Sequence, residues 1–439
     1  MGMSRNFAEE SMDIFLPRID RRNETNGITG SHFPLFEWQL ACIYKVTGEH
    51  YYIARLYSAF IFSMAMLGLY WILLQLGIRQ QTAIAGGLAL LTIPQFYYDS
   101  INAMPDIYAL ALALLSAGFI LKDARQSTFN TLLTASLLAT FAGLIKFQFL
   151  IIPFAFIAYQ AFTPRNIARL SISFSFILVP VIVWYQYALE LTQLNNLKEF
   201  GLWIKPISLE TKLSTISNNL ISDLPELLIG YPLLVTLIVL AIKRSFQFSN
   251  SKGFRLVVFW LLGFTAFYFI AIERMMHHSY YFMAILPLIV ILLVKGFVKQ
   301  QWNIQYLYLI IVLNLIWSGL RIIPSRWTED KRQVPVEFTN KETLSAIRNS
   351  IPEGSLCLVG PDKSGCIYFY FTDTEGYSFE DPKELLSIKQ EGLFMETLKK
   401  AGVRYIICDQ GEVMDEVMRQ LPEWQEYKAI GAFKIWTHR

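Results

Sequence analysis

Apolar residues run through this chain in long stretches, broken only by short polar links, from about residue 52 to about residue 322; the pattern then stops. Ten stretches stand out: 52–76, 82–98, 105–121, 130–145, 147–162, 169–190, 226–242, 256–272, 279–295 and 304–322. Each approaches the roughly 20 residues that carry a helix across about 30 Å of hydrocarbon. The two that meet at Lys146 are short and closely joined, as in a pair of half-spans. Before the first stretch the text predicts a short amphipathic helix over 6–15, a Pro/Gly-punctuated loop over 17–31 and an aromatic-rich segment over 33–46. That last segment is too polar to span and suits a helix lying in the membrane interface. After residue 324 the period changes: ETLSAIRNSI reads as helix, SLCLVG and CIYFYF as strands. KELLSIKQEGLFMETLKKAG reads as a helix ending at glycine, and RYIICD and FKIWTH as strands completing a small sheet.

The pattern divides the chain into an interfacial loop region (1–51), an α-helical polytopic membrane domain of about ten spans (52–323) and a small α/β domain (324–439). Charge sharpens that division. Residues 51–324 carry 18 Lys/Arg and 9 Asp/Glu, about one charge in ten positions, whereas residues 325–439 carry 15 and 19. A single soluble enzyme, a disordered chain and a fibre are excluded. The net charge of +3, with no Arg/Lys block, argues against a nucleic-acid partner. Cys42, Cys357, Cys366 and Cys408 have neither metal-ligand spacing nor a disulfide framework, so no metal and no cofactor is expected.

Alternate links hold 11 and 5 basic residues. The positive-inside bias puts the first set in the cytoplasm, so residues 1–51, the loop 191–225 and the C-terminal domain face outward, as in a multi-pass protein of the inner membrane with an extracytoplasmic, periplasmic tail domain. Eight of the nine acids between 51 and 324 lie toward the outer side, and almost none falls at mid-bilayer, where ion-coupled transporters keep their working charges. Chemistry therefore belongs at the outer interface.

Three strings carry a family resemblance. SRNFAEESMDIFLPRID followed by HFPLFEWQLACIYKVTGEHYYIARLYS, NAMPDIYALALALL at 102–115 and HHSYYFMAILPL at 277–288 resemble polytopic glycosyltransferases of family 39. These are the dolichyl-phosphate-mannose protein mannosyltransferases and the lipid A aminoarabinose transferases. The resemblance implies a GT-C-like fold and an inverting transfer of sugar from a polyprenyl-phosphate donor to a lipid or protein acceptor, amid membrane lipids. In the family a first transmembrane helix precedes this loop and carries the catalytic Asp just before the segment matching Ser4 to Phe7. The resemblance thus places the main base upstream of Met1 and the chain one helix short. A glycolipid transporter or flippase, or an inactive member of the fold, is the competing reading.

Such chemistry needs a carboxylate to take the acceptor proton, cationic or hydrogen-bonding groups for the departing phosphate, and an apolar groove for the lipid tail. Asp106, following Pro105 at the outer start of a span, is the leading carboxylate, against a first-turn acid that merely favours the helix dipole. Glu9 and Asp13 are acids on the same side, though a solvated face explains them better. Lys146, Arg274, His278 and Arg5 are candidates for the donor phosphate. His277, Tyr280 and Tyr281 are candidates for substrate contacts, against an aromatic belt with a stray histidine pair. The C-terminal domain shows no phosphate loop and no nucleophile motif, so it reads as an accessory or acceptor-recognition domain.

Overall fold

The computed structural model describes residues 1–22, 25–160, 164–195, 206–246, 251–328, 338, 340–362, 364–386, 398 and 400–438. Part of the loop 191–225 and most of the helix predicted over 383–402 lie outside them. The chain opens with helix α1 (Gly2–Glu9), earlier in the sequence than the period suggested, and then turns. The interfacial helix α2 (Leu35–Thr47) follows, with Phe36, Glu37, Leu40, Ala41 and Tyr44 on its buried face.

The membrane domain centres on α6 (Pro105–Gln126), 78% buried along its most apolar window and packed against α3 (Tyr51–Gln75), α7 (Phe129–Ile145) and α8 (Ile151–Gln160). A helix so apolar all round belongs in the middle of a bundle. Among the described residues five helices are long and apolar enough to cross a membrane, or six if one bent pair counts as a span. The other predicted spans are shorter or broken. The stretch 82–98 divides into α4 (Gln80–Leu91) and α5 (Pro94–Asp99), because Pro94 cannot continue the ladder of α4. Around Lys146, α7 ends, a 3-10 turn (Phe147–Leu150) follows and α8 begins.

After α9 (Pro164–Leu194), α10 (Leu209–Asn218) leads into a π-helical stretch, Asn219–Ile229, which meets α11 (Tyr231–Ile242) at a bend of 108°. The stretch read as a straight span at 226–242 is therefore corrected. Gly230 sits at the bend with φ +87°, and a side chain there would strike the Asn314 amide. Asn314 donates through Nδ2 to the carbonyls of Thr92 (2.7 Å) and Ile229 (3.1 Å), so one buried amide satisfies carbonyls at both helix breaks. It lies on α15 (Ile304–Ile322), reached through α12 (Ser251–Ile270), α13 (Ile272–His277), a 3-10 segment (Ser279–Ala284) and α14 (Leu286–Lys299). Many large apolar side chains remain exposed on these helices, among them Leu67, Val183, Leu262, Phe269 and Leu320. That belt suits lipid, not water.

The C-terminal region forms a five-stranded sheet in the order β2-β1-β3-β5-β4. The strands are β1 (Leu356–Gly360), β2 (Glu375–Ser378), β3 (Val403–Cys408), β4 (Trp424–Ile430) and β5 (Phe433–His438); β1 pairs parallel to β2 and β3, while β5 pairs antiparallel to β3 and β4. CIYFYF, read as a strand, is instead helix α17 (Ile367–Thr372), after α16 (Lys341–Arg348). Its backbone is claimed at the start: the buried Asp362 carboxylate accepts N–H bonds from Ile367 (2.7 Å) and Tyr368 (3.1 Å). The four cysteines are free thiols.

Candidate functional site

Asp106 stands in the first turn of α6, after Met104 in extended conformation and Pro105 at the first helical position. Met104 offers no capping side chain, and Asp106 is the acid of that first turn. It is 2% exposed and turns toward the α7–α8 junction, where Lys146 Nζ lies 3.5 Å from Oδ2 and Gln148 Nε2 donates to Oδ1 at 3.3 Å. Both contacts are long for charge-assisted bonds, so the pair is loosely joined. Lys146 caps the end of α7 in extended conformation, placing its ammonium beside the start of α6.

The link between α12 and α14 borders the same pair. His278 stacks on Tyr280 at 5.1 Å between ring centroids, and Tyr280 lies 4.8 Å from Tyr281. Tyr281 in turn meets Phe267 at 6.1 Å. Burial, aided by the charges of Arg274, His277 and Lys146 and opposed by Asp106, pushes His278 below the ordinary histidine range. That shift favours the neutral, hydrogen-bonding imidazole at pH 7. Arg274 lies 3.5 Å from Glu273 Oε2, and His277 is exposed. Asp99 is buried at the end of α5, accepts a bond from Gln95 and lies within electrostatic range of Asp106.

The loop before α2 closes the other side. Gly30 lies against the backbone of Ala188, so closely that no side chain fits. Thr192 Oγ1 donates to the Gly30 carbonyl at 3.1 Å, Trp184 Nε1 to the Ser31 carbonyl at 3.1 Å, and Phe33 N–H to the Leu144 carbonyl at 2.9 Å. His32, held between these bonds, places Nε2 3.0 Å from Glu37 Oε1. Glu37 is itself within electrostatic range of Lys146.

Three expected residues are engaged elsewhere. Arg5 is not in this group: it is buried, pairs with Asp20 (3.2 Å) and Asp373 (3.1 Å), and donates to the Tyr370 carbonyl (2.8 Å). It joins the N-terminal segment to the C-terminal domain. Glu9 lines the charged cleft of about 470 Å³ beside that junction, with Arg22, Arg348 and Glu375. Asp13 is exposed and accepts the Phe15 N–H at 3.0 Å in a local turn. Glu37 and His32 were missed because they stand five positions apart in sequence with a turn at Pro34 between them. Among the described residues no group of three or more His, Cys, Asp or Glu converges as a metal site would.

Residues 31–184 match the family model described as Dolichyl-phosphate-mannose-protein mannosyltransferase, which bears out the resemblance over that stretch. It contains His32, Glu37, Asp106 and Lys146. Among solved structures, the oligosaccharyltransferase of Archaeoglobus fulgidus, crystallised with Zn and sulfate, is similar with a TM-score of 0.60 at 12% identity, covering 93% of this chain. The chain spans 63% of that protein's length. ArnT from Cupriavidus metallidurans, bound to undecaprenyl phosphate, matches with a TM-score of 0.46 at 12% identity, over 99% of this chain and 92% of that one. No curated protein sequence matches the chain. The fold is that of a polytopic, GT-C-like membrane protein with a small C-terminal sheet.

Proposed function

We propose that the chain is an inverting glycosyltransferase, moving a sugar from a polyprenyl-phosphate donor to a lipid or protein acceptor at the outer face of the cytoplasmic membrane. The observation that carries this reading is the Asp106–Lys146 pair, buried at a helix junction, bordered by His278, Tyr280 and Tyr281 and lying inside the stretch that matches a family named for a polyprenyl-phosphate sugar. Lys146 neutralises the charge that grows on the phosphate as the bond to the anomeric carbon breaks. His278 and Tyr280 supply neutral hydrogen bonds beside it. Asp106 is the carboxylate placed to accept a proton from an acceptor hydroxyl, and its long contacts leave it available. Basic links on one side of the bundle and acids on the other support the outward orientation.

The test is purified protein in proteoliposomes with labelled polyprenyl-phosphate sugars and a lipid acceptor. Donor consumption with labelled acceptor is expected, and Asp106→Asn lowers it by about 100-fold or more. Movement of intact donor between leaflets without consumption would establish a transporter instead.

A further inference from the structure

We propose that Glu37, aimed by His32, is the carboxylate that receives a hydroxyl of the donor sugar, so that Lys146 reads the phosphate and Glu37 reads the sugar. This rests on the glycosyl-transfer reading and adds a residue to it. Glu37 is 7% exposed on the buried face of α2, and its Oε2 is enclosed without a hydrogen-bond partner among the described residues. Leaving a buried carboxylate oxygen unmatched is costly, and burying it neutral or replacing it by an apolar residue would avoid the cost.

Two structural roles fail to account for it. Glu37 is the acid of the first turn of α2 and favours the helix dipole there, but that attraction leaves Oε2 enclosed without a hydrogen bond. A salt-bridge role uses only Oε1, toward His32. What remains is an ionised group with one oxygen held and one free. Burial alone would raise the Glu37 carboxyl, but the His32 charge and hydrogen bond, with the residue's own backbone N–H, outweigh it and hold it below the ordinary glutamate range. A carboxylate whose pKa is lowered stays ionised and is a poorer base than one whose pKa is raised, which favours accepting a hydroxyl hydrogen bond over proton abstraction.

The position is built rather than incidental. His32 sits in a loop fixed by Trp184, Thr192 and the Leu144 carbonyl, two residues before Lys146 in the chain. Glu37 and Lys146 feel each other's charge. A molecule carrying phosphate at one end and hydroxyls next to it matches a cation and a free carboxylate oxygen in that arrangement. A sugar phosphate ester has this chemistry; a bare lipid phosphate has only half of it.

The experiment compares binding of polyprenyl-phosphate mannose and of sugar-free polyprenyl phosphate to the full-length protein in nanodiscs, alongside donor consumption. Glu37→Gln is expected to weaken the sugar-bearing lipid by about tenfold while leaving the sugar-free lipid within about twofold, because a hydrogen bond to a charged group is lost while Lys146, the partner of the phosphate, is kept. Lys146→Met weakens both. Glu37→Asp, which keeps the charge, gives an intermediate preference and guards against a folding defect in the amide variant. An unchanged preference in both Glu37 variants, in a wild type that consumes donor, overturns this proposal and leaves the glycosyl-transfer reading standing. A wild type that consumes no donor overturns both.

Discussion

Lys146 is the residue on which most of the proposed chemistry turns, and its placement follows from local structure: α7 ends there, the next residues form a 3-10 turn, and the ammonium is left 3.5 Å from Asp106. Asp106, Lys146 and the His278–Tyr281 cluster were legible in the sequence because they are rare polar residues in apolar text. Glu37 was not, because it sits in a segment already polar enough for an interface and acquires meaning only through His32. The sign of its shift leads to a pH prediction. A carboxyl held below its ordinary value contributes stability that is present above the unfolded value, about 4.3, and is lost as pH falls through the lower folded value. Thermal melts of wild type and Glu37→Gln should therefore stay apart down to about pH 5 and converge below pH 4. A gap that closes already between pH 7 and 6 would contradict the assignment.

At the scale of elements, apolar period located the helices well and their breaks poorly. Pro94 signals the end of α4 in sequence, but the 108° bend at Gly230 depends on Asn314, 84 residues away in the chain, which takes up the Ile229 carbonyl. In the same way CIYFYF has strand composition yet is helical, since Asp362 gathers the N–H groups of Ser364, Gly365, Ile367 and Tyr368. Strand β4 escaped notice because five of its seven residues are exposed. Asp362→Ala should cost about 2 kcal/mol through loss of that cap, read as a lower melting temperature, with Asp362→Asn recovering part of it. No change in melting would mean that the loop closes without the carboxylate.

At the scale of the whole molecule, the N-terminal segment ties the membrane domain to the C-terminal sheet. Arg5 meets Asp20 within its own segment and Asp373 and Tyr370 across the junction. Arg5→Met strands the buried Asp20 and should cost about 3 kcal/mol, with faster hydrogen exchange of the Tyr370–Asp373 backbone than in wild type. Protection unchanged there would show that the two parts hold without Arg5. The orientation is tested by labelling with a membrane-impermeant thiol reagent, after replacing the two partly accessible thiols by Cys42→Ser and Cys366→Ser: Gln126→Cys should react only from the cytoplasmic side and Asn26→Cys only from outside. The central claim is that Asp106 and Lys146 form the reacting centre of a sugar transferase. It is tested most directly by the initial rate of sugar transfer from a labelled polyprenyl-phosphate donor in proteoliposomes, wild type against a folded Lys146→Met variant. A rate lower by about 100-fold or more is predicted, as for loss of a group that stabilises developing charge; a rate within about threefold of wild type, little over half a kcal/mol, would contradict it.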